Sequence, residues 1–371
     1  MRPLARARSF AAAQGLAHPL LQAPMAGVPS PALAAAVVRG GGMAALGALL
    51  LAPGGIADWV ARFRAAAGAA APLQLNLWVP DPPPRRDAAH EARLAAFLAQ
   101  HGPEVPAGAG DAVPLDFEAQ LDAIVTARPA AMSTIMGLLS PVQAARLRAA
   151  GIAWWATVTT ATEARAALAA GADALVAQGA EAGGHRGAFD AARARDEAVG
   201  LFALLPAVAD LARPTGTPVI AAGGIADART AAAALLLGAS AVQVGSALLR
   251  TPESGIAPAW QAALATAAPE GTRLTRAFSG RWGRALATDY VNAAAAPEAP
   301  EPASYPVQRG LTAAMRKAAE AADDLQHLQA WAGQGVALAR PAPAAQWLPA
   351  LWREAEALLG GDGSPAVSPA A

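Results

Sequence analysis

Ala174-Leu-Val-Ala-Gln-Gly-Ala-Glu-Ala-Gly-Gly-His-Arg-Gly187 is an apolar run that breaks into glycines and then presents a histidine. Its first residues suit a strand buried on both faces of a parallel sheet. Beyond the strand's carboxyl end the loop offers Gln178, Glu181, His185 and Arg186, and that end of a parallel sheet is where α/β folds hold ligands. Gly183 and Gly184 lack a Cβ, so the backbone can approach a flat ring or an anion closely. Taken alone, the same stretch also reads as a tight surface turn carrying a solvated histidine.

Outward from it, short apolar runs alternate with helical stretches. Leu20 to Met25, Met43 to Leu46, Leu73 to Trp78, Ala131 to Met136 and Ala153 to Val158 precede the quoted strand. Pro218 to Ala222 and Ala241 to Gly245 follow it, which makes eight. Gly171-Ala-Asp-Ala174 and Gly238-Ala-Ser-Ala241 each join a helix to the next strand, an internal echo of one βα unit. Thr160-Ala-Thr-Glu163 has the pattern of a capping box, and Asp227 is placed to cap the helix before Leu237. Eight strands with intervening helices predict an α/β fold, a (β/α)8 TIM barrel over 1–250, with a doubly wound open sheet as the competitor. Pro80 to Asp87 opens an insertion reaching about Leu115, with an amphipathic helix from Ala88 to Gln100. Residues 251–358 read as a smaller, mainly helical lid, with helices over Trp260 to Ala268 and Leu311 to Trp331, and 359–371 as a disordered tail.

Composition narrows the function classes. The 371 residues are 54% hydrophobic and 15% charged, with Lys+Arg and Asp+Glu equal at 28 each. No basic block marks a nucleic-acid partner. Cysteine is absent, which excludes a thiol nucleophile, iron–sulfur ligation and disulfides, and fits a cytoplasmic protein. Lys317 is the only lysine. Arg2 to Arg8 resembles the start of a targeting peptide but lacks an apolar core, so no leader is expected. Thr230 to Leu249 is uncharged and about a membrane span in length, yet Gly238-Ala-Ser240 divides it into a helix and a strand. No membrane segment is expected.

Two consecutive glycine loops carry the main chemical signal. Gly223-Gly224 follows the seventh strand and Gly245-Ser246 the eighth, the usual phosphate site of barrels. No dinucleotide fingerprint follows the first strand, so a mononucleotide-type cofactor is favoured. Asn76 and Gln178 fall at strand ends facing the same mouth, and their amides match the alternating edge of a flavin. Satisfaction by neighbouring backbone is the plainer reading of either amide alone. The other histidines, His18, His90, His101 and His327, are scattered, and no metal site is predicted. His185 suits a general base or an anchor for a substrate anion. Glu181 can orient its ring or be solvated; Arg186 can neutralise an anion or form a surface ion pair.

These residues resemble a known family. Gln22-Ala-Pro-Met-Ala-Gly27, Leu75-Asn-Leu77, Ala177 to Gly187, Ala221-Ala-Gly-Gly-Ile225 and Gln243-Val-Gly-Ser246 are similar to segments of the nitronate monooxygenases. Phe278-Ser-Gly-Arg281 and Trp331-Ala-Gly-Gln-Gly335 resemble the family's carboxyl-terminal signatures, so the likeness runs from about Phe10 to Leu358. It implies a barrel with a smaller helical domain and noncovalent FMN, oxidising nitronates with dioxygen to a carbonyl compound and nitrite. By that resemblance Ala23, Pro24 and Met25 flank the flavin, and Asn76 and Gln178 bond to its ring. Gly183, Gly184, Gly223, Gly224, Gly245 and Ser246 contact the ribityl phosphate or its path, and Gln243 and Gln334 add to the site. His185 is the base for a neutral nitroalkane, or positions a nitronate that has no proton to lose. Ile135 stands where many members carry a second histidine, and only Tyr290 and Tyr305 are available for a tyrosine-rich pocket. The rivals are an NAD(P)H-dependent flavin reductase of enoyl thioesters or quinones, and a silent barrel binding a phosphorylated regulator. A monomer or homodimer is expected.

Overall fold

The computed structural model describes residues 2–28 and 30–360. In chain order the strands are β1 (Leu20–Gln22), β2 (Ala44–Gly47), β3 (Leu73–Trp78), β4 (Ala131–Ile135), β5 (Ala153–Val158) and β6 (Ala174–Gln178). A two-residue strand, β7 (Gly184–His185), precedes β8 (Val219–Ala222), β9 (Ala241–Val244), β10 (Thr272–Thr275) and β11 (Gly283–Leu286). Eight of them form a parallel sheet in the order β1-β9-β8-β6-β5-β4-β3-β2. A parallel bridge between Leu21 and Met43 joins its two ends. There the Gln22 N–H donates to Met43 O at 2.9 Å and the Met43 N–H to Leu20 O at 3.0 Å. An open sheet has two free edges; here they meet. The fold is the (β/α)8 barrel.

Alternation along the strands divides the core in two. Leu73, Leu75 and Leu77 of β3, Trp154 of β5 and Val242 of β9 join the outer layer beneath the helices. Trp155, Ala174, Val176, Ile220 and Ala241 point to the barrel axis, where Trp155 is the bulk that fills it. Polar caps fix where the helices start. Ser140 with Gln143 and Asp227 with Thr230 make reciprocal capping boxes. Thr160 caps its helix, but Glu163 does not complete the expected box. Its carboxylate instead accepts from the Thr159 and Phe189 amides, tying this helix to the loop after His185.

The basic amino-terminal stretch is helix Pro3–Ala13. It closes the end of the barrel remote from the strand carboxyl termini: Phe10, Ala11 and Leu16 complete the inner cluster, with Phe10 6.2 Å from the Trp155 ring. Thr230 to Leu249 divides as expected into helix Ala228–Leu236, β9 and the turn Ser246–Arg250. Among the described residues no helix is long and apolar enough to cross a membrane.

The segment after residue 250 departs from the sequence reading in two ways. The helix expected over Leu311 to Trp331 is two shorter ones, Val307–Leu311 and Ala313–Ala322, ended by Asp323 at φ +50°. Trp331 instead bridges Ala285. Strands β10 and β11 also pair antiparallel and add β7 as a third strand, a small sheet that joins this segment to the barrel. The last described helix runs Ala344–Gly360; the disorder expected of the tail otherwise concerns residues outside those described. Phe10→Ala should empty the barrel floor and lower the unfolding free energy by about 3–5 kcal/mol, measured by urea titration.

Candidate active site

A cavity of about 550 Å3 opens at the carboxyl ends of the barrel strands, within the range of cofactor sites. The loop after β6 builds one wall, and its shape depends on two barrel-side contacts. Gln178 donates from Nε2 to His185 O at 3.0 Å, while its Oε1 accepts from the Gly187 N–H at 2.8 Å. The Arg186 guanidinium, 1% exposed, donates from Nη1 to the carbonyls of Gln178 and Gly179 at 3.1 and 2.8 Å. Arg186 is therefore neither a surface ion pair nor a substrate contact: it is a buried brace. Burial pulls its pKa down to about 10, against the pull of Glu163 and Glu181. Glu181 does not orient the imidazole. Its carboxylate accepts from the Leu201 N–H at 2.9 Å, at the start of helix Leu201–Ala212.

From the other side, β7 pairs with β11, placing His185 opposite Gly283 and Gly184 opposite Arg284. The imidazole lies edge-on between two indoles, 4.6 Å from Trp78 and 4.7 Å from Trp331. Nε2 shares a 2.7 Å hydrogen bond with Ser279 Oγ, and Nδ1 has no partner among the described residues. Desolvation in this aromatic slot, with the charges of Arg309 and Arg281 adding to it, pulls the ring's pKa down to about 3. The imidazole is neutral at physiological pH.

Most of the residues singled out in the sequence line the same cavity. Ala23, Pro24 and Met25 come from the loop after β1, and Asn76 from β3. Gly183 and Gly184 come from the β6 loop, Gly223 and Gly224 from the end of β8, and Gln243, Gly245 and Ser246 from β9 and its loop. Asn76 donates to Ser133 O and Oγ, leaving its Oδ1 without a partner among the described residues. Gln243 Oε1 is buried and accepts no hydrogen bond, so an acceptor waits at the cavity floor. Ser246 Oγ accepts from the Gly333 N–H at 2.8 Å and keeps its own proton to donate. A Cβ on Gly183 would sit 2.5 Å from Gly333 N and 2.7 Å from Ser246 Oγ, so only glycine lets these segments meet. Gln334 falls outside this set. Its side chain donates to Pro269 O at 3.3 Å, and its neighbours Gly333 and Gly335 line the cavity in its place.

Several lining residues were not assigned to the site from the sequence, although Ser279 and Trp331 fall in segments that resemble the family's carboxyl-terminal signatures. Trp78 ends a strand whose period marks only burial, and Trp331 and Ser279 lie nearly 100 or more residues from His185 in the chain. Tyr305, Arg309 and Arg316 line the outer part. Arg281 is buried against Asp81, whose Oδ2 accepts from Nε at 2.7 Å, fastening the Pro80 to Asp87 insertion beside the Ser279 turn.

A model of the family described as nitronate monooxygenase matches residues 9–354. The chain belongs to the nitronate monooxygenase family. It is 40% identical over 346 residues to the nitronate monooxygenase of Paraburkholderia phytofirmans, covering 92% of this chain and 93% of that one. Among solved structures it is similar to the nitroalkane oxidase of Streptomyces ansochromogenes, with TM-score 0.84, 38% identity and coverage of 94% and 99%. FabK from Thermotoga maritima shares the fold, with TM-score 0.72 at 24% identity over 95% and 97% of the two chains. This nitronate monooxygenase family member is thus an oxidoreductase acting on a small molecule. Its Ile135 lines the cavity where the sequence resemblance places a second histidine in many members.

The depressed imidazole gives the fold a defined acid limb. Unfolded, the ring titrates near ~6.5; folded, it titrates near 3. Between those values the unfolded state holds the additional proton, so His185 lowers stability as pH falls through that window and has no effect above it. His18 and His101, also lowered by burial, act in the same direction. The urea midpoint should fall between pH 7 and pH 5 in the wild type, and fall less in His185→Asn.

Proposed function

We propose that this chain binds FMN in the cavity and uses it with dioxygen to oxidise alkyl nitronates to a carbonyl compound and nitrite. What carries the reading is the convergence of three features on one cavity: the glycine loops of β8 and β9, an unpaired buried acceptor on Gln243, and a neutral histidine. The donor set suits the cofactor. Ser246 Oγ–H, with the close approach allowed by Gly223, Gly224 and Gly245, fits a phosphate; Gln243 Oε1 and Asn76 Oδ1 fit ring N–H groups. Gly184 leaves room for a flat ring, while Gly183 lets the β6 loop close against Gly333 and Ser246. Ala23, Pro24 and Met25 supply its apolar surround. Gln178 acts indirectly, because its amide is engaged in holding His185 and Gly187.

When bound, FMN supplies the redox chemistry, taking electrons from the substrate and passing them to dioxygen. The chain's own residues bind and orient. Trp78 and Trp331 exclude water from the histidine. With Ser279 holding Nε2, Nδ1 is left for the nitronate oxygens. An imidazole titrating near 3 is a weak base for a carbon acid at neutral pH. His185 therefore positions a nitronate better than it deprotonates a nitroalkane, and of its two expected roles this is the one the environment favours.

Purified protein should be yellow, and should consume oxygen and release nitrite with an alkyl nitronate. Colourless protein that FMN cannot reconstitute would sink the proposal. Gly183→Ala should lose the flavin, read by absorbance after gel filtration. His185→Asn should keep it while kcat/KM for the nitronate drops about tenfold or more, the magnitude of one positioned hydrogen bond. With wild type, kcat/KM for the preformed nitronate should show no inflection near ~6.5, where a free imidazole titrates.

A further inference from the structure

The cavity's outer wall carries more positive charge than any role above uses. Its ionisable lining residues, besides His185 and Tyr305, are Arg309, Arg316 and Glu320. Arg316 is committed: Nε donates to Thr312 Oγ at 3.2 Å and Nη2 to Arg309 O at 2.9 Å. Glu320 is exposed at the rim. The Arg309 guanidinium differs from both: it is half-buried and makes no hydrogen bond or ion pair among the described residues. Burial pulls its pKa down, against the weaker upward pull of Tyr305 and Glu320.

Its backbone, by contrast, is fixed. Arg309 lies on helix Val307–Leu311, between two residues tied to the turn that holds His185. Gln308 Nε2 donates to Ala277 O at 2.7 Å, and Thr312 Oγ to Phe278 O at 2.7 Å. Ser279, the next residue, carries the hydroxyl bonded to the imidazole. Arg309 and His185 are thus positioned from one rigid segment, and Arg309 is the largest Coulombic influence on that ring. A preorganised, unpaired guanidinium facing a cavity is a fork for an oxyanion. Glu320, the carboxylate on this wall, is exposed at the rim where water screens it, so Arg309 and Arg316 leave the wall net positive and favour an anion over a neutral ligand.

We infer that Arg309 is a specificity-determining residue, its guanidinium pairing with the oxygens of an anionic substrate and so selecting the nitronate over its neutral nitroalkane. This rests on the nitronate reading for the identity of the substrate, though not for the binding of an anion. Pairing also neutralises the charge bearing on His185, so the anion and the imidazole's proton affinity rise together.

The test uses the purified full-length chain and two variants, Arg309→Gln and Arg309→Lys. Nitrate, a planar oxyanion, is titrated calorimetrically, and KM and kcat are measured with a nitronate and its nitroalkane. Arg309→Gln should weaken nitrate binding and raise the nitronate KM by about 10- to 100-fold, the range of a charge-assisted hydrogen bond. Its kcat should stay within about threefold, and Arg309→Lys should recover most of the loss. The His185 ring, followed by nitrogen NMR, should titrate at higher pH in Arg309→Gln. Equal nitrate affinity and KM in wild type and Arg309→Gln, or no nitrate binding to wild type at all, overturns the assignment. Wild type that binds nitrate through Arg309 but turns over no nitronate overturns the proposed function and leaves the anion site standing. Matching thermal melts for the variants separate these effects from misfolding.

Discussion

Two residues of strand pairing hold the site together. Gly184 and His185 leave the barrel's sixth loop to run antiparallel to Arg284 and Gly283, so one side chain is gripped by both parts of the molecule. From the barrel, Gln178 and Arg186 fix the loop's carbonyls and amides. From the carboxyl-terminal segment, β11 fixes its register, and a slip of one residue would turn the imidazole to the opposite face. Gly283 is needed for this: a Cβ there would lie 3.0 Å from the Trp331 ring and 3.1 Å from Gly184 O. The indole that flanks His185 and the strand that places it are therefore packed against each other through a glycine.

The electrostatics of the site follow from that enclosure. An imidazole among indoles loses water that would stabilise its charged form, and two arginines nearby discourage the proton further. Desolvation is the larger effect, followed by Arg309 and then Arg281. Arg281 has its counter-ion in Asp81, whereas Arg309 makes no ion pair among the described residues and, of the carboxylates, feels only the exposed Glu320 from a distance. By linkage, an anion that raises the ring's proton affinity is bound more tightly when the ring is protonated. The neutral ring and the waiting cation thus form one coupled unit.

The barrel was legible because its strands obey a short, local rule. Leu73 to Trp78 and Ala153 to Val158 coincide with β3 and β5, since apolar runs bounded by turns need no distant partner to be recognised. The glycine pair after β8 and Gly245-Ser246 after β9 were legible for the same reason. What stayed hidden depends on distance along the chain. A two-residue strand has no period, and β7 exists only because β11 arrives about 100 residues later. Glu181 caps a helix 20 residues on; Arg186 is buried by segments its neighbours do not reveal. Gln334 sits between two lining glycines, yet backbone direction turns it away. Trp331, read as the end of a helix, is instead a bridge partner of Ala285.

This division separates what the barrel's local patterns build from what the carboxyl-terminal segment adds. The parts recognisable by local pattern, the β8 and β9 loops and the Gly-Gly-His turn, line the cavity from the barrel side. FabK from Thermotoga maritima shares the fold at 24% identity, and a fold by itself does not fix what a site takes. Three further lining residues, Trp331, Tyr305 and Arg309, all come from the segment that folds back after the last barrel strand. That segment is anchored to the barrel by polar contacts: β7 with β11, Asp81 with Arg281, and Ser246 with the Gly333 amide. Because those anchors bear on backbone and on buried charge, the intervening side chains can change without releasing the lid. On the proposed reading, a change at Arg309 would alter selectivity while the glycine loops below it stay as they are.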